Sequence, residues 1–122
     1  MSIEFTLLIV DDESTNLAVL KQMLQDDYHL LFARDGNNAL QLALQEKPNL
    51  ILLDIMMPEI SGFDILKEIE KDNNLNNLKI ILVSVLEREN RIEKILENKN
   101  IDYVQKPIIL NNLLFKINNF LN

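Results

Sequence analysis

The chain has 122 residues, 48% apolar and 25% charged, which is room for one domain with a real core and not for a second. Its formal net charge of −7, with the basic residues scattered, argues against a nucleic-acid partner. There is no cysteine, which excludes disulfides and thiolate metal sites. No apolar stretch approaches the ~20 residues of a membrane span and no leader-like segment opens the chain, so a cytoplasmic protein is expected.

Phe5 to Val10 reads as a buried strand that stops on Asp11-Asp12-Glu13. The helix after it begins in this acidic, Ser14-containing segment, whose residue types cap well, and carries Leu17, Leu20 and Leu24 at helical spacing. Tyr28 to Ala33 is the second strand and Asp35-Gly36 a turn. Ala39, Leu40, Ala43 and Leu44 then stripe a second helix that Pro48 ends. Leu50 to Asp54 is a continuous apolar run closing on one carboxylate. Past Gly62, residues Phe63, Ile65, Leu66 and Ile69 mark a third helix, and Asn73 to Asn77 a polar loop. Ile80 to Val83 is the fourth strand, stopping at Ser84, and Ile92, Ile95 and Leu96 mark the fourth helix. The fifth strand, Ile101 to Gln105, stops at Lys106-Pro107. Leu110, Leu113, Leu114, Ile117 and Leu121 stripe the closing helix.

Five strand–helix units of this length imply an α/β domain, doubly wound, with a five-stranded parallel sheet in the order 2-1-3-4-5. In such sheets chemistry gathers at the carboxyl ends of the strands, beside the switch between strands 1 and 3. Those two strands end on Asp11-Asp12 and Asp54. Three converging carboxylates repel one another, and a hard divalent cation such as Mg²⁺ relieves this through oxygen ligands. Lys106 adds a compact positive charge and Ser84 a hydroxyl donor. The set suits phosphoryl transfer, with Asp54 as a nucleophile that would become an aspartyl phosphate.

Taken together, Asp11-Asp12, the run from Asp54 to Pro58, Gly62, Ser84 and Tyr103-Val104-Gln105-Lys106-Pro107 resemble a response-regulator receiver domain of two-component signalling. The resemblance covers essentially the whole chain and is similar to the single-domain chemotaxis and sporulation regulators. It implies a flavodoxin-like receiver domain over residues 1–122 with no output domain in this chain. It implies Asp54 as phosphoacceptor, Asp12 as a direct Mg²⁺ ligand, Asp11 as a ligand through water, and the Met56 main-chain carbonyl as a further ligand. Mn²⁺ would substitute for Mg²⁺. Ser84 and Lys106 would hold the phosphoryl group, Tyr103 would be the aromatic switch, and the Lys106-Pro107 bond would be cis. The partners implied are a histidine kinase or histidine phosphotransfer protein, a downstream protein target or fused output domain, and a phosphorylation-dependent dimer. No direct nucleic-acid or membrane contact is implied. Nor is an enzyme: such a domain catalyses only its own phosphorylation and autodephosphorylation.

Each residue also has a plainer reading. Asp11 to Ser14 could cap a helix. Ser84 could end a turn, Tyr103 could be a core aromatic, and Lys106 could be a surface lysine. His29 reads as a structural or surface residue. The chain departs from the family pattern at Val85, where a smaller residue is usual, and at Lys99-Asn100, which replaces the usual Gly-Ala. Met56 and Leu86, both apolar, occupy positions that influence dephosphorylation in this family, which predicts a long-lived phosphoryl group. Arg91, Lys94, Lys99, Asp102 and Lys116 are expected on the output face of helix 4, strand 5 and helix 5. A flavin binder would need a Ser/Thr/Gly-rich phosphate cradle after the first strand. A phosphohydrolase with an aspartate nucleophile typically has a second acid where Met56 stands. The alternative that stays open is a pseudo-receiver, an unphosphorylated protein-interaction module.

Overall fold

Ten elements alternate along the chain in a computed structural model that describes residues 3–56, 61–85 and 90–121. They are β1 (Thr6–Val10), α1 (Ser14–Leu24), β2 (His29–Ala33), α2 (Gly36–Glu46) and β3 (Leu50–Asp54). α3 (Gly62–Lys71), β4 (Lys79–Ser84), α4 (Asn90–Ile95), β5 (Ile101–Gln105) and α5 (Leu110–Leu121) follow. The strands form one parallel sheet in the order β2-β1-β3-β4-β5, the order expected. Expected Met57, Pro58 and Leu86 lie outside the described residues.

The apolar runs form central strands because helices cover both faces of the sheet, so no position needs to be polar. Every residue of β3 is buried. The strand period of two sorts the side chains into two cores. Leu8, Val10, Ile51, Leu53, Ile80, Leu82, Ile101 and Tyr103 pack under α2, α3 and α4 with Ile65, Ile69 and Ile92. Leu7, Ile9, Leu50, Leu52, Ile81, Val83 and Val104 pack under α1 and α5 with Leu17, Leu20, Leu24, Leu113 and Ile117.

Local chemistry departs from expectation in several places. Helix α1 has no side-chain cap: its N-cap is Glu13, and the acidic residues before it are turned to other uses. Leu44 is exposed, and α2 meets the core instead through buried Ala39 and Ala43 with Leu40 and Leu42 partly buried beside them. That helix ends with Lys47 in the left-handed region (φ 47°), the only non-glycine residue with positive φ among those described. Leu75, inside the polar loop, is buried. The turn into β5 closes without glycine because Asn98 Oδ1 accepts the Asn100 N–H at 2.9 Å and the Asn98 carbonyl accepts the Ile101 N–H at 3.1 Å. Helix α3 carries a full capping box, Ser61 and Asp64 each accepting the other's main-chain N–H. No helix among the described residues is long and apolar enough to cross a membrane.

Candidate functional site

The ends of β1, β3, β4 and β5 set the site. Register places Val10 opposite Leu53, Asp54 opposite Val83 and Ser84 opposite Gln105, so the residues that follow emerge at one level. The ladder runs on slightly past the strands. Asp11 N–H donates to Ala33 O at 3.1 Å, Ile55 N–H to Val83 O at 3.1 Å, and Lys106 N–H to Ser84 O at 2.7 Å. The polar side chains therefore leave from backbone that is already held.

Asp11 and Asp54 are buried, 3% and 5% exposed, and Asp12 is half-buried. One oxygen from each of the three carboxylates lies within 4.8 Å of the others. At that separation each charged pair costs about 3 kcal/mol for an effective dielectric near ~20. Fixed donors offset part of this. Asp11 Oδ1 accepts the Glu13 N–H at 3.0 Å and Asp54 Oδ1 accepts the Met56 N–H at 2.9 Å. Lys106 Nζ sits between the two acids, 3.3 Å from Asp54 Oδ2 and 3.7 Å from Asp11 Oδ2.

Burial pushes the Asp54 carboxyl above its ordinary value and the Asp11 charge adds to this, while the Met56 N–H and Lys106 pull the other way. Burial wins, so the site favours anything that brings positive charge to Asp54. The all-oxygen donor set fits a hard divalent cation and offers nothing to a soft one.

Gly62 explains how α3 approaches this edge. A Cβ there would stand 2.5 Å from Ile55 Cα and 2.6 Å from Asp54 O, so the helix begins directly against the backbone that presents Asp54. Its N–H donates to Ile55 O at 3.0 Å.

The other expected residues are placed as follows. Ser84 is buried at the end of β4, 1% exposed. The Lys106–Pro107 peptide bond is cis. Tyr103 is 3% exposed, inside the core with Leu82, Ile92 and Ile101. Met56 and Val85 face solvent at the rim, 55% and 62% exposed, so the Val85 methyl groups point away from the protein interior. His29 is exposed. On α4, Arg91 lies toward α3, its guanidinium 3.7 Å from the Phe63 ring centre, rather than on the expected output face. Lys116 donates to Asp102 Oδ1 at 3.3 Å and to the Tyr103 carbonyl, tying α5 to β5.

Two features were not anticipated. A cavity of about 290 Å³ opens beside Asp11, Asp54 and Lys106 and runs between α1 and the loop from β5 to α5, over Val19, Leu20, Met23 and Ile108. Its sequence traces are Val19 and Met23, apolar residues outside the α1 stripe. The other is Arg34, whose Nε and Nη2 both donate to the Asp12 carbonyl, at 3.2 and 2.9 Å.

A doubly wound parallel sheet whose switch point holds an acidic, lysine-bridged pocket defines a flavodoxin-like α/β domain with a candidate cation site. The chain belongs to the response regulator receiver domain family, whose model matches residues 7–118, and it is a receiver domain of two-component signalling. Protein PilH of Pseudomonas aeruginosa is 35% identical over 92% of this chain and 93% of its own. The polar-differentiation response regulator DivK of Brucella anthropi is 29% identical over 95% of each chain. In longer relatives the match is a minor part, 23% of the response regulator PleD of Caulobacter vibrioides. Among solved structures, the receiver domain of the sensor histidine kinase PA1611 of P. aeruginosa, with a magnesium ion coordinated in its active site cleft, superposes with a TM-score of 0.83. It is 25% identical over 96% of this chain and 97% of its own.

Proposed function

We propose that this receiver domain takes a phosphoryl group on Asp54 with Mg²⁺ and thereby shifts the face formed by α4, β5 and α5. The observation that carries the reading is the trio of carboxylates within 4.8 Å of one another, with the Lys106 amine beside Asp54 and Asp11. Asp12 and Asp54 would hold the ion directly, Asp11 through water, and the Met56 carbonyl would complete the protein's share, with Mn²⁺ able to substitute. The bound ion supplies neutralising charge to the phosphoryl oxygens.

An Asp54 carboxylate oxygen attacks phosphorus, the bond to the donor's leaving atom breaks, and an aspartyl phosphate results. Lys106 follows the charge from the free carboxylate to a phosphoryl oxygen, and the Ser84 hydroxyl donates to another. The added ~1.5–2 negative charges draw Ser84 toward the site, and Tyr103 turns into the space it leaves. The equilibrium moves only by the difference in interaction between the two states. The domain acts on no substrate but its own phosphoryl group, which it accepts and hydrolyses.

The donor is a histidine kinase or histidine phosphotransfer protein, and the apolar ledge of Val19, Met23 and Ile108 beside Asp54 supports an approach across α1. The receiving end is a downstream protein, a fused output domain or a second phosphorylated copy.

The test is incubation with acetyl phosphate and Mg²⁺, read by intact mass. A single added phosphoryl group, absent in Asp54→Asn and in EDTA, is the expected result. No addition, despite measurable Mg²⁺ binding, would favour the pseudo-receiver reading, an interaction module that is not phosphorylated.

A further inference from the structure

We propose that Arg34 is a positioning residue for the cation site, holding the Asp12 carboxylate among those of Asp11 and Asp54. The inference rests on the reading of that cluster as the metal site.

The peptide between Asp12 and Glu13 is gripped from both sides. Its N–H donates to Asp11 Oδ1 at 3.0 Å, and its carbonyl accepts from Arg34 Nε and Nη2 at 3.2 and 2.9 Å. One flank of the loop is therefore tied by the same aspartate that belongs to the cluster and, among the described residues, the other only by Arg34. The position of Arg34 follows from the sheet. The main-chain ladder between β1 and β2 gives its last bond from Asp11 N–H to Ala33 O at 3.1 Å. Arg34, the residue just past β2, continues the pairing with its side chain instead of its backbone. The planar guanidinium is suited to this, because two of its five donors reach one acceptor.

One neighbour keeps that contact clear. Asp35 could have paired with the guanidinium, but its carboxylate accepts the Asn38 N–H at 2.8 Å and caps α2. Arg34 touches a carbonyl rather than a carboxylate, so its charge stands near three acids without consuming an oxygen that a cation would use. Lys106, by contrast, contacts two of those acids directly.

Geometry and charge here predict opposite signs. A cation near a cation site weakens metal binding through space, so an Arg34 that acted by charge alone would be a handicap, and removing it would tighten Mg²⁺ binding. An Arg34 that orients Asp12 helps, and removing it weakens binding. Groups that orient metal ligands through their side chains are worth about 10–100-fold in affinity. Acting through the main chain, Arg34 is expected to contribute about 3–10-fold on the same reasoning.

The experiment is calorimetric titration of the unphosphorylated protein with MgCl₂, for wild type, Arg34→Ala, Arg34→Gln and Arg34→Lys, with melting curves in EDTA alongside. Weaker binding in Ala and Gln, partial recovery in Lys and metal-free melting close to wild type are expected. Arg34 is exposed, so its loss leaves the core intact. Tighter or unchanged binding in Arg34→Ala, with wild type binding Mg²⁺, would overturn the role of Arg34 and leave the cluster reading standing. A wild type that binds no Mg²⁺ would overturn both.

Discussion

Replacing Gly62 by alanine tests the packing that presents Asp54. The added Cβ would stand 2.5 Å from Ile55 Cα and 2.6 Å from Asp54 O, where ordinary contact starts near 3.4 Å. Both are backbone atoms of a buried strand end, so no side-chain rotation relieves them. Strand and helix must part by roughly an ångström, a small-to-large strain worth about 1–3 kcal/mol. Separation also stretches the 3.0 Å bond from Gly62 N–H to Ile55 O. Alanine returns at most ~1 kcal/mol of helix propensity, and less in a first turn. A net loss of about 2 kcal/mol is expected. With an unfolding entropy near ~2.1 cal/mol/K per residue, that lowers the melting temperature by about 8 °C. Far-UV circular dichroism melts and urea titrations measure this, and acetyl phosphate labelling should slow because the displaced atoms carry the acceptor. A variant that melts at or above the wild-type temperature would refute the close approach.

Three further outcomes are expected. Asp54→Asn should melt higher than wild type at neutral pH without divalent ions. The folded-state carboxyl titrates above its unfolded value of 3.8, so stability is present below that value, falls as pH rises through the raised one, and the gap should close in acid. A gap independent of pH would contradict that account. Lys47→Gly should gain about 1 kcal/mol by relieving a left-handed residue, raising the melting temperature by several degrees, whereas Lys47→Ala should not. Once phosphorylated, the protein should keep its label well beyond seconds in Mg²⁺, because the exposed Met56 cannot orient an attacking water, and Met56→Glu should shorten the lifetime. Rapid loss from the wild type would refute this.

The strands were legible because a sheet covered on both faces leaves polar residues only at its ends, so Asp54 and Ser84 stood out where apolar runs stopped. β3 and β5 carry the bounds read from sequence. What stayed hidden depends on which partner a polar group finds. Asp11 could cap α1 by composition, but its oxygen takes the Glu13 N–H inside the loop and leaves the helix uncapped. Arg34 looks like any exposed arginine after a strand until the Asp12 carbonyl is located beside it. Leu44 fits the α2 stripe by spacing, yet it is exposed, and Leu42 packs on the core with Ala39, Leu40 and Ala43 in its place. Arg91 was assigned by its helix alone, and the Phe63 ring on α3 decides its direction.

The division of the interior by the sheet has a consequence for how such a domain diversifies. The core under α1 and α5 and the core under α2, α3 and α4 share no side chain, only the strands between them. A volume change at Leu20 must be answered near Leu52 or Ile117, and one at Ile92 near Leu82 or Tyr103. Mutations that retune the groove beside Asp54 can therefore accumulate without disturbing the packing around Tyr103. Two lineages of substitutions can drift almost independently on either side of one shared layer.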